Sequence, residues 1–98
     1  MSWDYRFPAI AEPEPFGLQL QHVRDEATEA VQAYYEELPP EEVATELMDV
    51  IHAAETALRQ LGMSDSELAN VRMGVIVKNE RRGYYGGAKW PNGAHATS

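Results

Sequence analysis

The stretch PPEEVATELMDVIHAAETALRQLG, residues 39–62, decides the fold. Its apolar residues Val43, Leu47, Val50, Ile51, Ala54, Leu58 and Leu61 recur at steps of three and four, which is the stripe of an amphipathic helix. Pro40 suits the first helical position, where a missing N–H costs nothing, and Gly62 suits the residue just past the end. Upstream, Leu20, Val23, Ala27, Ala30, Val31, Tyr34 and Leu38 keep the same spacing, predicting a helix over 17–38 that Pro39 ends. Downstream, Ser64-Asp-Ser-Glu67 has the form of a capping box and opens a third helix through Leu68, Val71, Val75 and Ile76 to Arg82. Three helices on short links predict an all-α bundle.

The chain has 98 residues, the size of one domain. It divides into a proline-bearing arm (1–16), a helical domain (17–85) and a glycine-rich tail (86–98). A domain this small buries only about 60–65% of its unfolded surface, so three short amphipathic helices are expected to form a homo-oligomer, a dimer or a tetramer. Hydrophobic residues make up 44%, yet no apolar run nears the roughly 18 residues of a membrane span. The start MSWDYRFPAIAEPEPF carries acids and three prolines where a signal peptide needs a basic start and an apolar stretch. Zero cysteines rule out disulfides and thiolate chemistry, and His22, His52 and His95 are too scattered for structural zinc. A cytoplasmic protein without a membrane partner is expected.

A net charge of −8 argues against nucleic acid as the main partner. The distribution says more. Residues 25–67 hold twelve acids and one base, Arg59, whereas residues 72–89 hold five bases and one acid, Glu80. Acids followed by a basic patch suit an anion carried with a cation, such as a nucleotide phosphate with its metal; a solvated acidic surface is the plainer alternative. At 100° per residue, Glu42, Glu46 and Asp49 flank the apolar stripe of the second helix, and Glu26 and Glu29 flank that of the first. Packing the two helices together would gather Glu26, Glu29, Glu46 and Asp49 at the edge of a shared core, within reach of one hard cation. Spacing alone says nothing, because so acidic a chain yields about 2.5 acid pairs at i, i+3 by chance and this one has two, Glu26/Glu29 and Glu46/Asp49.

Three segments in order supply the context. DEATEAVQAY (25–34) resembles the E-E-x-x-E helix of MazG-like, all-α nucleoside triphosphate pyrophosphohydrolases, and ELMDVIHAAETAL (46–58) resembles their following E-x-x-D helix. KNERRGYY (78–85) is similar to the K-N-x-x-R-G-Y-Y ending of the short, phage-type members. The resemblance spans residues 18–85 and implies a four-helix-type bundle completed by oligomerisation. It implies that Glu26, Glu29, Glu46 and Asp49 bind magnesium, with manganese as a substitute. Water would attack the α-phosphorus of a nucleoside triphosphate, giving the monophosphate and pyrophosphate, and Glu29 would take the water's proton. Lys78, Asn79 and Arg82 would bind the substrate's phosphates or sugar, and Tyr84 and Tyr85 would stack on its base, with packing after the helix as the alternative role of these two rings.

The match has departures. Asp25 stands where the motif has its first glutamate, and residues 1–16 are too proline-rich to supply the family's additional N-terminal helix. Trp3, Tyr5, Phe7 and Phe16 are then expected to pack across the opening as an arm, unless a second subunit encloses the substrate. Asp49-Val-Ile-His52 imitates the carboxylate-x-x-His element of di-iron bundles, but there is no second such element, and His52 falls opposite the apolar stripe. His52 and Glu55 are therefore expected in solvent. The alternative function is an acidic helical interaction module or an inactive relative.

Overall fold

A computed structural model of the chain describes residues 2–86; most of the glycine-rich tail assigned above, residues 87–98, lies outside them. Among the described residues the secondary structure is all helical: α1 (Phe16–Tyr35), α2 (Pro40–Gln60) and α3 (Asp65–Arg81). The chain divides into two compact units, Tyr5–Met63 and a second containing residues 2–4 with 64–86. None of these helices is long and apolar enough to cross a membrane.

In the first unit α1 and α2 pack as an αα-hairpin, which their short link enforces. Pro15 and Pro39 are the N-caps and Pro40 occupies the first turn of α2, so each helix starts where a missing donor does no harm. The first helix stops at Tyr35, three residues short of the expected Leu38. Glu37 adopts a left-handed φ of 58°, the Leu38 N–H donates to Ala33 O at 3.1 Å, and the Glu37 N–H donates to Tyr34 O at 3.0 Å. This is a Schellman close, and it turns Leu38 back while satisfying two orphan carbonyls. Its left-handed position is filled by glutamate where glycine would be at ease. Gly62, at φ 70°, occupies the corresponding position after α2, as the sequence predicts.

The hairpin interface is made of small residues. Ala30, Ala33, Ala53 and Ala57 are buried, so the two backbones approach closely. Gln19, also buried, donates its Nε2 to Ala53 O at 3.0 Å and ties the start of α1 to α2. No large side chain among the described residues is fully buried. Instead Leu20, Val31, Leu47 and Leu61 each remain about half exposed (48–54%), leaving an apolar side of the hairpin uncovered. Part of that side forms a groove of about 300 Å³ whose lining includes Phe16, Leu20, Leu58 and Leu61.

Residues 5–15 run along the hairpin and are fastened to α2. The Glu55 carboxylate accepts from Arg6 N–H (3.0 Å to each oxygen) and from Phe7 N–H (3.0 Å). Arg59 Nη2 donates to Phe7 O at 2.7 Å, and the guanidinium lies 4.0 Å from the Tyr5 ring centre. The Phe7 ring stacks on His52 at 4.8 Å and 15°. Further on, Gln60 Nε2 donates to Glu14 O at 2.6 Å. These contacts correct three expectations. Glu55 is buried at 4% exposure, and His52 is half-buried under Phe7; neither is a solvent residue. The face of α2 opposite its apolar stripe is where the arm lies, and two arm N–H groups require an acceptor there. Phe16 begins α1 and does not belong to the arm.

The second unit is built on α3. Ser64 Oγ accepts from Glu67 N–H at 3.1 Å while Ser64 N–H donates to Glu67 Oε1 at 2.8 Å, the reciprocal capping box read in the sequence. The helix closes on Gly83 at φ 80°, with Tyr84 N–H donating to Asn79 O at 3.0 Å. Leu68 and Ala69 are its buried residues.

Candidate metal centre

Glu26 on α1 and Glu46 and Asp49 on α2 come together in the hairpin. One carboxylate oxygen from each lies within 4.8 Å of the other two. The helices place them by periodicity: Glu26 is one turn before Ala30, and Glu46 two turns before Ala53, so both acids follow the buried alanine seam to its polar edge. Glu26 and Glu46 are half-buried and Asp49 is exposed, so the cluster opens to water on one side. Glu29, exposed on α1, stands beside Glu46 without joining the tight group of three.

The electrostatic consequence is felt at Glu46. Burial, the negative charges of Glu29, Asp49 and Glu26, and a hydrogen bond shared with Glu29 all push its carboxyl pKa above the usual 4.5. Each of these causes penalises the ionised form and would be relieved by a cation. Oε1 of Glu26 and Oε1 of Glu46 are buried without a hydrogen-bond partner among the described residues. Such orphaned acceptors are costly unless something satisfies them. All-oxygen donors, negative charge in excess and unsatisfied buried oxygens fit a hard divalent cation such as magnesium.

The other carboxylate oxygen of Glu26 is occupied. His22 Nε2 lies 3.3 Å from Glu26 Oε2, one helical turn away. His22 joins the site through its i, i+4 spacing to Glu26, a signal present in the sequence. Asp25 points to solvent beside Arg24 at 3.9 Å and takes no part in the cluster.

Two open cavities flank the acids along α1. Toward the α1–α2 turn is one of about 370 Å³, lined by Glu29, Gln32, Ala33, Glu36, Leu38 and Glu46. Toward the start of α1 is one of about 180 Å³, lined by His22 and Gln19 from the helix and Ile10, Glu12, Pro13 and Glu14 from the arm. The remaining expected site residues belong to the second unit. Lys78 and Asn79 are on the last turn of α3, Arg82 is its C-cap, and Tyr85 follows in the closing turn. Lys78 and Arg82 are exposed; Asn79 and Tyr85 are half-buried.

Comparison with known proteins returns no match: no family model, no curated protein and no solved structure matches the chain.

Proposed function

We propose that the protein is a magnesium-dependent nucleoside triphosphate pyrophosphohydrolase of the MazG-like kind, releasing pyrophosphate from a nucleoside or deoxynucleoside triphosphate. The observation that carries this reading is the convergence of Glu26, Glu46 and Asp49 to within 4.8 Å, with Glu29 alongside Glu46. These are the four positions that the E-x-x-E and E-x-x-D motifs single out, and three of them, from two separate helices, form the tight group.

Glu26, Glu46 and Asp49 would hold the ion, and Glu29 would complete the set. Magnesium bound there supplies positive charge for phosphate oxygens and acidifies a bound water. The protein's own part is to fix the carboxylates on a rigid hairpin and to receive a proton. Glu29 suits that second task, since it is exposed, stands outside the tight group of three and lines the larger cavity. The assignment of Lys78, Asn79, Arg82 and Tyr85 to the substrate rests on the KNERRGYY motif and on the sign of its charges.

The uncovered apolar side of the hairpin supports a homo-oligomer, because half-exposed leucines in a row favour association. The test of the activity is pyrophosphate release from a panel of nucleoside triphosphates with magnesium, and then with chelator. Chelator-sensitive release supports the proposal. No release from any member with magnesium or manganese contradicts it and favours an interaction module.

A further inference from the structure

We infer that His22 is a positioning residue of the metal centre, holding one oxygen of Glu26 so that the other is left free for the cation. This rests on the magnesium part of the hydrolase reading and adds a residue that its motifs do not single out. His22 Nε2 lies 3.3 Å from Glu26 Oε2, whereas Glu26 Oε1 is buried without a hydrogen-bond partner among the described residues. The two oxygens of one carboxylate therefore stand in different surroundings, one engaged by a ring nitrogen and one unsatisfied.

His22 is not itself a ligand. The ligand atoms that lie within 4.8 Å of one another come from Glu26, Glu46 and Asp49, and the ring is outside that group. It acts on a cation through Glu26, which is the member that α1 supplies. Fixing a long, flexible side chain such as glutamate costs about 1.5–2 kcal/mol of rotamer freedom. A donor already resting on Oε2 removes part of that cost before the cation arrives. Glu46 has a partner of its own in the hydrogen bond it shares with Glu29.

The helix sets up the pair, because side chains four positions apart lie one above the other. The order of the two residues speaks against helix stability as its purpose. Acid before base is the better arrangement at this spacing, and here the base comes first. Nε2 carries a proton in the cationic ring and in one neutral tautomer, so the donor does not depend on the ring's charge. The His22 side chain is 51% exposed, so removing it uncovers no core.

The test titrates the metal-free protein with magnesium chloride in a calorimeter, without nucleotide, for the wild type, His22→Ala and His22→Gln. Removing a group that orients a ligating carboxylate costs about 10- to 100-fold in metal affinity. His22→Ala should show that loss while its metal-free unfolding midpoint matches the wild type's. His22→Gln, whose amide can donate to the same oxygen, should recover the affinity to within about threefold of wild type. Unchanged affinity in His22→Ala, or a glutamine no better than alanine, would overturn the inference and leave the metal centre standing. A loss that parallels a lowered metal-free midpoint in both variants would also overturn it, since the ring would then serve packing. If the wild type binds no magnesium, the metal centre and the inference fail together. If it binds magnesium in this His22-dependent way yet releases no pyrophosphate, the hydrolase reading fails and the inference stands.

Discussion

Replacing Glu55 by alanine should release the arm from α2. The carboxylate satisfies two backbone N–H groups at 3.0 Å while itself only 4% exposed. Hydrogen bonds to a charged group contribute about 1.5–3 kcal/mol each, so the pair brings about 3–6 kcal/mol. The Phe7–His52 stack, the Arg59–Tyr5 contact and the charge-assisted Arg59 bond to Phe7 O add about 2.5–5.5 kcal/mol together. Against these stands the ordering of three backbone residues, at about 1–2 kcal/mol each. Without Glu55 the remaining contacts no longer outweigh that ordering, and the arm detaches. The loss is then the docking free energy itself, about 4 kcal/mol at mid-range, or roughly a thousandfold change in the docked population. Amide hydrogen exchange at Arg6 and Phe7 reads it directly, with Glu80→Gln as an exposed-acid control. Acceleration by less than about threefold in Glu55→Ala would refute the reasoning, since the arm would then be held by something other than this carboxylate.

Further outcomes follow from the same geometry. Glu46→Gln should raise the thermal stability of the metal-free protein near neutral pH and abolish its response to magnesium. Because the folded-state pKa of Glu46 lies above 4.5, the protonated group favours folding below that value and the benefit is lost as pH rises through the folded pKa. The advantage of the variant should therefore shrink toward pH 4.5 and vanish below it, and an advantage that instead grows on acidification would contradict the crowding of carboxylates. Glu37→Gly should stabilise the hairpin by about 0.5–1 kcal/mol in urea titration by relieving the left-handed glutamate; a loss of stability would show that the Glu37 side chain holds the turn. Lys78→Ala and Arg82→Ala should each weaken triphosphate binding roughly ten- to a hundredfold for every base, leaving magnesium binding nearly intact; a change confined to base preference would remove them from the phosphates. Sedimentation should give a dimer or tetramer at micromolar concentration, and a stable 11.0 kDa monomer would defeat the oligomer.

The helices were legible because their signals are local. Pro40, Gly62 and the Ser64–Glu67 box mark boundaries that the structure keeps within a residue or two. The end of α1 was not legible, because a glutamate took the left-handed position and the apolar stripe continued past it to Leu38. At the candidate site the convergence of Glu26, Glu46 and Asp49 could be read from helix faces, whereas their separation from Glu29 depends on how the helices cross. Glu55 and His52 were misplaced for a different reason. A helical wheel sorts residues by the neighbouring helix and cannot see an irregular segment whose N–H groups and aromatic ring come from 45 or more positions away. The cavity at Ile10 and His22 was hidden on the same account.

Hydrolysis in ¹⁸O-labelled water with magnesium, followed by mass spectrometry of the products, tests the central claim most directly. Attack of water at the α-phosphorus places one ¹⁸O in the nucleoside monophosphate and none in the pyrophosphate, and Glu46→Gln should yield neither product. Label in the pyrophosphate, release of orthophosphate with a nucleoside diphosphate, or no turnover by the wild-type protein would contradict it.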